Sequence, residues 1–155
     1  MKDKSIGIIP VRKINDEYSF LLIHEIIGHW GFPKGHPNMG EAELMTAMRE
    51  FYEETEINIC DICDDFKYTQ QYSFKEKDML IEKEVIFFLG LIDGNKEISF
   101  NNEISESRWF SFDEALDQLT YEDNKLMIKN AINFLEKKAP LNFKRYQFDN
   151  KVLLK

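Results

Sequence analysis

The amino-acid sequence predicts an α+β fold in which helices pack on a mixed β-sheet. Its 155 residues suit one hydrophobic core, and no repeat, linker or low-complexity segment divides them. Strand-like and helix-like segments follow one another without strict alternation, which argues against a doubly wound parallel sheet. We therefore expect one domain over residues 1–138, with the apolar residues of a tail, 139–155, packed on it.

The strands are predicted from runs of β-branched and aromatic residues. The first two, Ser5–Val11 and Tyr18–His24, are separated by the polar stretch Lys13–Glu17, which is typical of a hairpin. Residues 28–40 are interrupted by Gly and Pro and predict a shaped loop rather than a regular element. The later strands are Tyr68–Phe74, Ile81–Ile92 and Arg108–Phe110.

Three helices are predicted from apolar spacing and from capping residues. The clearest, Glu41–Thr55, carries apolar residues at i, i+3, i+4 and i+7, namely Leu44, Ala47, Met48 and Phe51. Ser111 begins a capping box with Glu114 and leads into a helix that runs to Leu119. A further amphipathic helix spans about Glu122–Glu136.

The composition of the chain restricts its expected cellular location and its expected binding partners. Acidic residues outnumber basic ones 28 to 20, and this net charge of −8 argues against extended nucleic-acid binding while leaving a small anionic ligand open. The apolar run Ile6–Val11 is too short and interrupted for a signal peptide or a membrane span, so we expect a cytoplasmic protein. Cys60 and Cys63 lack the second ligand pair of a zinc site, which favours structural thiols over a metal or redox role.

Three acidic residues share one face of the first predicted helix. Glu50, Glu53 and Glu54 lie at i, i+3 and i+4, roughly 120° from the apolar stripe, so they can face a cleft. Like charges at this spacing destabilise a helix by roughly 0.2–0.5 kcal/mol a pair, which favours a compensating cation. Mg²⁺ suits this role, because carboxylates and substrate phosphates commonly share it. An isolated E-x-x-E-E is more often a solvated face of a helix. The surrounding residues therefore decide between a solvated face and a cation site.

Those surrounding residues form a longer pattern. Gly35, Glu41 and residues 49–57 (REFYEETEI) match G-x5-E-x7-R-E-U-x-E-E-x-G-U at every specified position but one, where U is a bulky apolar residue. This pattern resembles the Nudix box. The exception is Glu56, which replaces a Gly that permits a left-handed backbone just past the helix. We expect Glu56 to destabilise that turn by about 1 kcal/mol, or the helix to end differently.

The resemblance extends from about residue 4 to residue 136. Residues 30–36 (WGFPKGH) are similar to the W-G-x-P-K-G-H lead-in of asymmetrical diadenosine tetraphosphate hydrolases. Also similar to that branch are residues 5–10, residues 83–89 and Glu103, six residues before Trp109. The resemblance implies a Nudix α/β/α sandwich around a mixed sheet, with the acidic helix lining the cleft.

The resemblance also implies a site for Mg²⁺ or Mn²⁺. The implied ligands are all oxygen atoms, from the carboxylates of Glu50, Glu53, Glu54 and Glu103 and the carbonyl of Gly35. Glu50, Glu53 and Glu103 are each candidates for the catalytic base that deprotonates the attacking water, with Glu50 or Glu53 favoured. Arg49 is expected to pair with Glu41 and orient the acids, because residues eight apart lie close in angle on a helix.

Five side chains are candidates for binding substrate. Lys34 suits the polyphosphate, since an ammonium group neutralises charge on the leaving phosphate. His36 either bonds a phosphate or braces the loop, and Lys83 is a weaker phosphate candidate. Phe87 stands where the family often has Tyr, so it either stacks on adenine or packs in the core. Tyr72 is a second, weaker stacking candidate.

The expected activity is hydrolysis of diadenosine tetraphosphate, or a related dinucleoside polyphosphate, to ATP and AMP. One alternative is removal of pyrophosphate from triphosphorylated RNA 5′ ends, the one form in which nucleic acid is an expected partner. A second alternative, from another class, is a non-catalytic Nudix module that binds a nucleotide as a sensor. The full set of carboxylates speaks against the sensor. The sequence predicts no membrane partner and does not define the oligomeric state.

Overall fold

The computed structural model describes residues 1–93, 104–137, 141–149 and 152–154. The strands it contains are β1 (Lys2–Ile14), β2 (Glu17–Glu25), β3 (Trp30–Gly31), β4 (Lys34–Gly35), β5 (Ile59–Glu76), β6 (Met79–Leu91), β7 (Ile104–Ser111), β8 (Phe143–Asp149) and β9 (Val152–Leu154). The helices are α1 (Glu43–Thr55), α2 (Phe112–Gln118) and α3 (Glu122–Leu135). None of these helices is long and apolar enough to cross a membrane.

The strands form one mixed sheet. Its main path is β3-β2-β1-β6-β5-β8-β9, with β4 added to β1 and β7 added to β2. β1 and β6 are parallel, with Ile6 opposite Ile86, and the other paired strands are antiparallel. The predicted hairpin between β1 and β2 turns at Asn15 and Asp16, whose φ values of 52° and 65° suit a two-residue turn.

The sheet is buried on both faces. In β1, Ile6 and Ile8 pack in the core that contains α1, whereas Ile9 and Val11 pack in the core that contains α2 and α3. Because successive side chains of a strand point to opposite faces, α1 covers one face and the other two helices cover the second. This arrangement confirms the predicted α+β sandwich. It also explains the nearly continuous apolar runs of the central strands.

Two regions are more regular than the sequence predicts. The prediction of an irregular loop over residues 28–40 was wrong at β3 and β4, which are only two residues long and form by pairing with β2 and β1. β5 begins at Ile59 rather than Tyr68, because its first residues pair with β8 of the tail. The register of β5 against β6 shifts between Ile62 and Lys67, which interrupts the apolar period there.

The two cysteines lie on opposite faces of β5. Cys60 packs in the core that contains α1, and Cys63 packs in the other core. Both are free, and burial raises the pKa of both thiols. Because they point away from each other, they can neither bridge nor share a metal ion. They act as packing residues, in agreement with the structural role expected.

Candidate functional site

The acids of α1 lie opposite its buried stripe. The predicted stripe is confirmed, since the helix side chains with no exposed surface include Ala47, Met48 and Phe51. On the other side, Glu50, Glu53 and Glu54 line a cavity of about 820 Å³, here called the carboxylate cleft. Its remaining walls include Lys34, Gly35, His36 and Lys83. The fold therefore brings these predicted site residues together.

Two glycines let the loop approach the helix. β4 pairs with β1, placing Lys34 opposite Gly7. A Cβ atom on Gly35 would overlap the carboxyl group of Glu50, and one on Gly7 would overlap the carbonyl oxygen of Pro33. The absence of these atoms allows β1, the loop and α1 to meet closely enough to form one cleft.

Arg49 joins the acidic helix to the loop. Its side chain is 10% exposed, and its Nε and Nη2 donate to the two carboxylate oxygens of Glu41 at 2.9 and 3.0 Å. Nη1 donates to Glu50 at 2.9 Å and Glu53 at 3.2 Å, and Nη2 also donates to the His36 carbonyl at 2.8 Å. Glu41 precedes the helix, so the prediction that it shares a helical face with Arg49 was wrong, although the pair forms. Every guanidinium N–H is used within the protein, which makes Arg49 a positioning residue.

Replacing Glu41 with Gln is expected to lower the free energy of unfolding by about 2 kcal/mol at neutral pH. Hydrogen bonds from Arg49 lower the pKa of Glu41 from 4.5 to about 2, so ionised Glu41 stabilises the fold above pH 4.5. This stabilisation is lost as the pH falls through about 2. Urea unfolding from neutral to acidic pH should show the two proteins converging, with exposed Glu17→Gln as the control. Equal stability at neutral pH would contradict the expectation.

The three acids of the cleft differ in exposure. The side chains of Glu53 and Glu50 are 52% and 17% exposed, whereas Glu54 is buried and 7% exposed. Glu54 accepts a hydrogen bond from the backbone N–H of Lys34 at 3.1 Å. Burial, followed by the charges of Glu50 and Glu25, raises the pKa of Glu54 to about 9. Glu54 is therefore ionised at neutral pH only when a cation compensates.

A second cavity of about 510 Å³, here called the aromatic cavity, adjoins the cleft. Its aromatic lining consists of His29, Trp30, Phe32, Tyr72, Phe87 and Tyr121. Glu25, Ile27 and Lys34 line both spaces, so the two cavities are neighbours. Both volumes lie within the roughly 300–1,000 Å³ of typical small-molecule sites.

Glu25 is a site residue that the sequence did not reveal. It ends β2, where the pairing with β7 shifts between His24 and Glu25. Its charge contributes to the raised pKa of Glu54. No local spacing relates Glu25 to the acids of α1, because the sheet brings them together. In the sequence, its position as an acidic residue at the end of an apolar strand, before a turn that contains Gly28, was the one sign that it could be a site residue.

The cleft fits a hard divalent cation. Mg²⁺ and Mn²⁺ prefer carboxylate oxygens, and Glu54 is a buried carboxyl group near two other acids. The Glu50 carboxyl group occupies the place that a Cβ atom on residue 35 would take, so it lies directly beside the Gly35 backbone. Among the described residues, no three His, Cys, Asp or Glu side chains are already grouped to hold a metal, so some of these carboxylates must move closer together to share one ion. Glu103, also an expected ligand, lies outside the described residues.

Lys83 and His36 are tied to β1. Lys83 is 7% exposed, and its Nζ donates to Asp3 Oδ2 at 2.8 Å and to Ser5 Oγ at 2.6 Å. The hydrogen bond from Lys83 lowers the pKa of Asp3. His36 Nε2 lies 3.0 Å from Asp3 Oδ1 and 3.5 Å from Lys83 Nζ. Of the two roles expected for His36, these contacts favour bracing the loop.

The aromatic candidates have different surroundings. Phe87 is 1% exposed and packs edge-on against Phe32, with the ring centroids 6.0 Å apart. Phe87 therefore packs as a core residue, one of the two roles expected for it. Its ring also lines the aromatic cavity. Tyr72 is half-exposed on the same cavity. The hydroxyl group of Tyr121, which no sequence motif indicated, lies 2.9 Å from His29 Nδ1 in the wall of the cavity.

Residues 1–131 match the model of the NUDIX domain family. The chain belongs to the Nudix family. It is 33% identical over 126 residues to the asymmetrical bis(5′-nucleosyl)-tetraphosphatase of Sus scrofa, covering 78% of this chain and 83% of the relative. Over 136 residues it is 27% identical to the Caenorhabditis elegans protein of that name, covering 85% and 96%.

Solved structures agree with this membership. The C. elegans Ap4A hydrolase in a binary complex matches with a TM-score of 0.76 at 26% identity, covering 86% of this chain and 97% of that chain. The Nudix sandwich expected from the motif is thereby confirmed. The chain is a Nudix hydrolase related to Ap4A hydrolases at moderate identity.

Glu56 takes the conformation suited to the Gly of the Nudix motif. Its φ and ψ are 59° and 14°, in the left-handed region, and its N–H donates to the Tyr52 carbonyl at 2.7 Å. The helix therefore keeps a left-handed cap, and the alternative that it ends differently was wrong. A non-glycine residue at this position is strained by contact between its Cβ and the backbone.

Replacing Glu56 with Gly is expected to raise the free energy of unfolding by about 1 kcal/mol, because Gly removes that strain. The matched control is Glu136→Gly at the cap of α3, where φ is −84° and no such strain exists. The control should leave stability unchanged or lower it. Chemical denaturation measures both variants, and a loss of stability in Glu56→Gly would contradict the strain argument.

Proposed function

We propose that this protein is a Mg²⁺- or Mn²⁺-dependent pyrophosphohydrolase that cleaves diadenosine tetraphosphate, or a related dinucleoside polyphosphate, into ATP and AMP. The observation that carries the proposal is that the carboxylate cleft and the aromatic cavity adjoin and share Glu25, Ile27 and Lys34 in their walls. A polyphosphate suits the first space and a purine base the second. The similarity to tetraphosphatases supports the same substrate class.

The acids of α1 would hold the cation. Glu50, Glu53 and Glu54, with the Gly35 carbonyl, supply the hard oxygen atoms that the ion prefers. When bound, the ion supplies positive charge that stabilises the phosphoryl oxygens and increases the acidity of water. Arg49 orients Glu50 and Glu53 through its hydrogen bonds.

Besides the cation, the reaction needs a water molecule as nucleophile and a base that removes its proton. The water oxygen forms a bond to phosphorus while the bond from phosphorus to the bridging oxygen breaks, and the leaving phosphate keeps the electron pair. Glu50 or Glu53 accepts the proton of the water, with Glu103 retained as a third candidate base. Lys34 lines both spaces, so its ammonium group can neutralise charge on the leaving phosphate. No covalent intermediate is required.

Product analysis tests the proposal. The protein is incubated with diadenosine tetraphosphate and Mg²⁺, beside a triphosphorylated RNA oligomer and a reaction containing a chelator. Rapid, chelator-sensitive release of equal amounts of ATP and AMP, with slow RNA processing, is the expected result. Two ADP molecules per substrate, or faster RNA processing, would overturn the substrate assignment. Nucleotide binding in Mg²⁺ without hydrolysis of either compound would favour a sensor instead.

A further inference from the structure

Two amide side chains meet at the wall of the aromatic cavity. Gln70 on β5 and Asn124 on α3 both line this space. Gln70 Nε2 donates to Asn124 Oδ1 at 2.8 Å and also lies 3.8 Å from the sulfur of buried Met127. The two hydrogens of Nε2 thus have acceptors, which fixes the Gln70 amide with its nitrogen toward α3.

This pairing leaves one acceptor and one donor unused. Within the described part of the chain, neither Gln70 Oε1 nor Asn124 Nδ2 has a hydrogen-bond partner. Both residues are half-buried, beside apolar side chains such as Phe32 and Phe87. A ligand with a complementary donor and acceptor would satisfy both groups, whereas one with mismatched groups would leave them unpaired.

We propose that Gln70 and Asn124 form a base-recognition pair that selects adenine over guanine. Adenine presents a donor, the 6-amino group, beside an acceptor, N1, which complement Gln70 Oε1 and Asn124 Nδ2. Guanine presents the reverse order, with acceptor O6 beside donor N1–H. The inference rests on the proposed function, because the polyphosphate must run past Lys34 into the carboxylate cleft, which fixes how the base enters the cavity.

Two variants test this recognition with diadenosine and diguanosine tetraphosphate as substrates. The wild type should show a roughly tenfold higher kcat/KM for the adenine substrate. Gln70→Leu should lower that value about tenfold, through KM rather than kcat. Asn124→Asp keeps Oδ1 for Gln70 but replaces the donor with an acceptor. It should weaken use of the adenine substrate, because two acceptors then meet at N1, and it should favour guanine at the N1–H position only, because Gln70 Oε1 still meets O6. The adenine preference should therefore be largely lost.

Matched controls exist on the same elements. Gln71→Leu changes the neighbouring, exposed amide of β5, which bonds Glu84 at 3.4 Å. Asn130→Asp changes an exposed amide of α3 that donates to the Leu126 carbonyl. Neither should alter the ratio of the two substrates. A wild type without adenine preference, or an unchanged ratio in Asn124→Asp, would overturn the base-recognition pair.

Failure of the proposed function has a different signature. If the wild type hydrolyses neither dinucleotide, the proposed activity fails, and calorimetric titration with ATP and with GTP then tests the base-recognition pair separately. Tighter binding of ATP than of GTP, with this difference lost in Asn124→Asp, would support the pair. Equal affinity for the two nucleotides would overturn it.

Discussion

Replacing Glu53 with Gln is expected to reduce Mg²⁺-dependent hydrolysis of diadenosine tetraphosphate by about a thousandfold while leaving the fold intact. The Glu53 side chain is 52% exposed in the carboxylate cleft, so its loss disturbs little packing. Gln keeps an oxygen that can accept the hydrogen bond from Arg49. It lacks both the charge that holds a cation and the basicity that removes a proton from water, so turnover falls without unfolding.

The matched control is Glu56→Gln. Glu56 is also exposed and lies just past the same helix, but it does not line the carboxylate cleft. Single-turnover hydrolysis measures the chemical step, and thermal unfolding verifies that each variant is folded. Normal turnover by folded Glu53→Gln would refute the mechanism. An equal loss in Glu56→Gln would show that the effect is not specific to the cleft.

The sequence predicts features that depend on neighbouring residues. The helical period of Ala47, Met48 and Phe51 is local, so it located both the buried stripe of α1 and the opposite acidic face. The capping box of Ser111 and Glu114 is also local, and both of its hydrogen bonds form. In each case the residues that establish the element lie within two helical turns of one another.

Features made by distant segments were not predictable in this way. The first half of β5 is a strand because β8 pairs with it, with Cys60 opposite Tyr146. Glu25 reaches the acids of α1, and Gln70 reaches Asn124, only after the sheet has formed. The sequence grouped Glu54 with its neighbours on α1, but nothing local distinguishes the buried carboxyl group from the exposed ones. Burial is set by the loop that packs over it.

Replacing Glu54 with Gln is expected to stabilise the metal-free protein and to abolish its response to Mg²⁺. Burial and the charges of Glu50 and Glu25 raise the pKa of Glu54 from 4.5 to about 9, so folding at neutral pH requires this carboxyl group to take up a proton. Gln resembles the protonated form and can still accept the hydrogen bond from the Lys34 N–H. Removing the protonation requirement should raise the free energy of unfolding by on the order of 3 kcal/mol near neutral pH.

The difference in stability between Glu54→Gln and the wild type should depend on pH. A carboxyl group whose pKa is raised by folding destabilises the protein increasingly as the pH rises above 4.5, and the effect levels off near pH 9. The stability of Glu54→Gln relative to the wild type should therefore grow across that interval and be absent below it. Thermal unfolding in a chelator measures this difference, with Glu56→Gln as the control. A variant less stable than the wild type in the chelator would contradict the argument.

Adding Mg²⁺ should act on the wild type alone. A cation in the carboxylate cleft favours ionised Glu54, so binding releases a proton and raises the unfolding temperature of the wild type by mass action. Gln at this position supplies no charge, and the variant should unfold at the same temperature with or without the ion. Titration with Mn²⁺, followed by the loss of its free-ion paramagnetic signal, measures binding without any turnover. Equal Mn²⁺ affinity in the two proteins would show that Glu54 is not a ligand and that its burial serves packing of the loop.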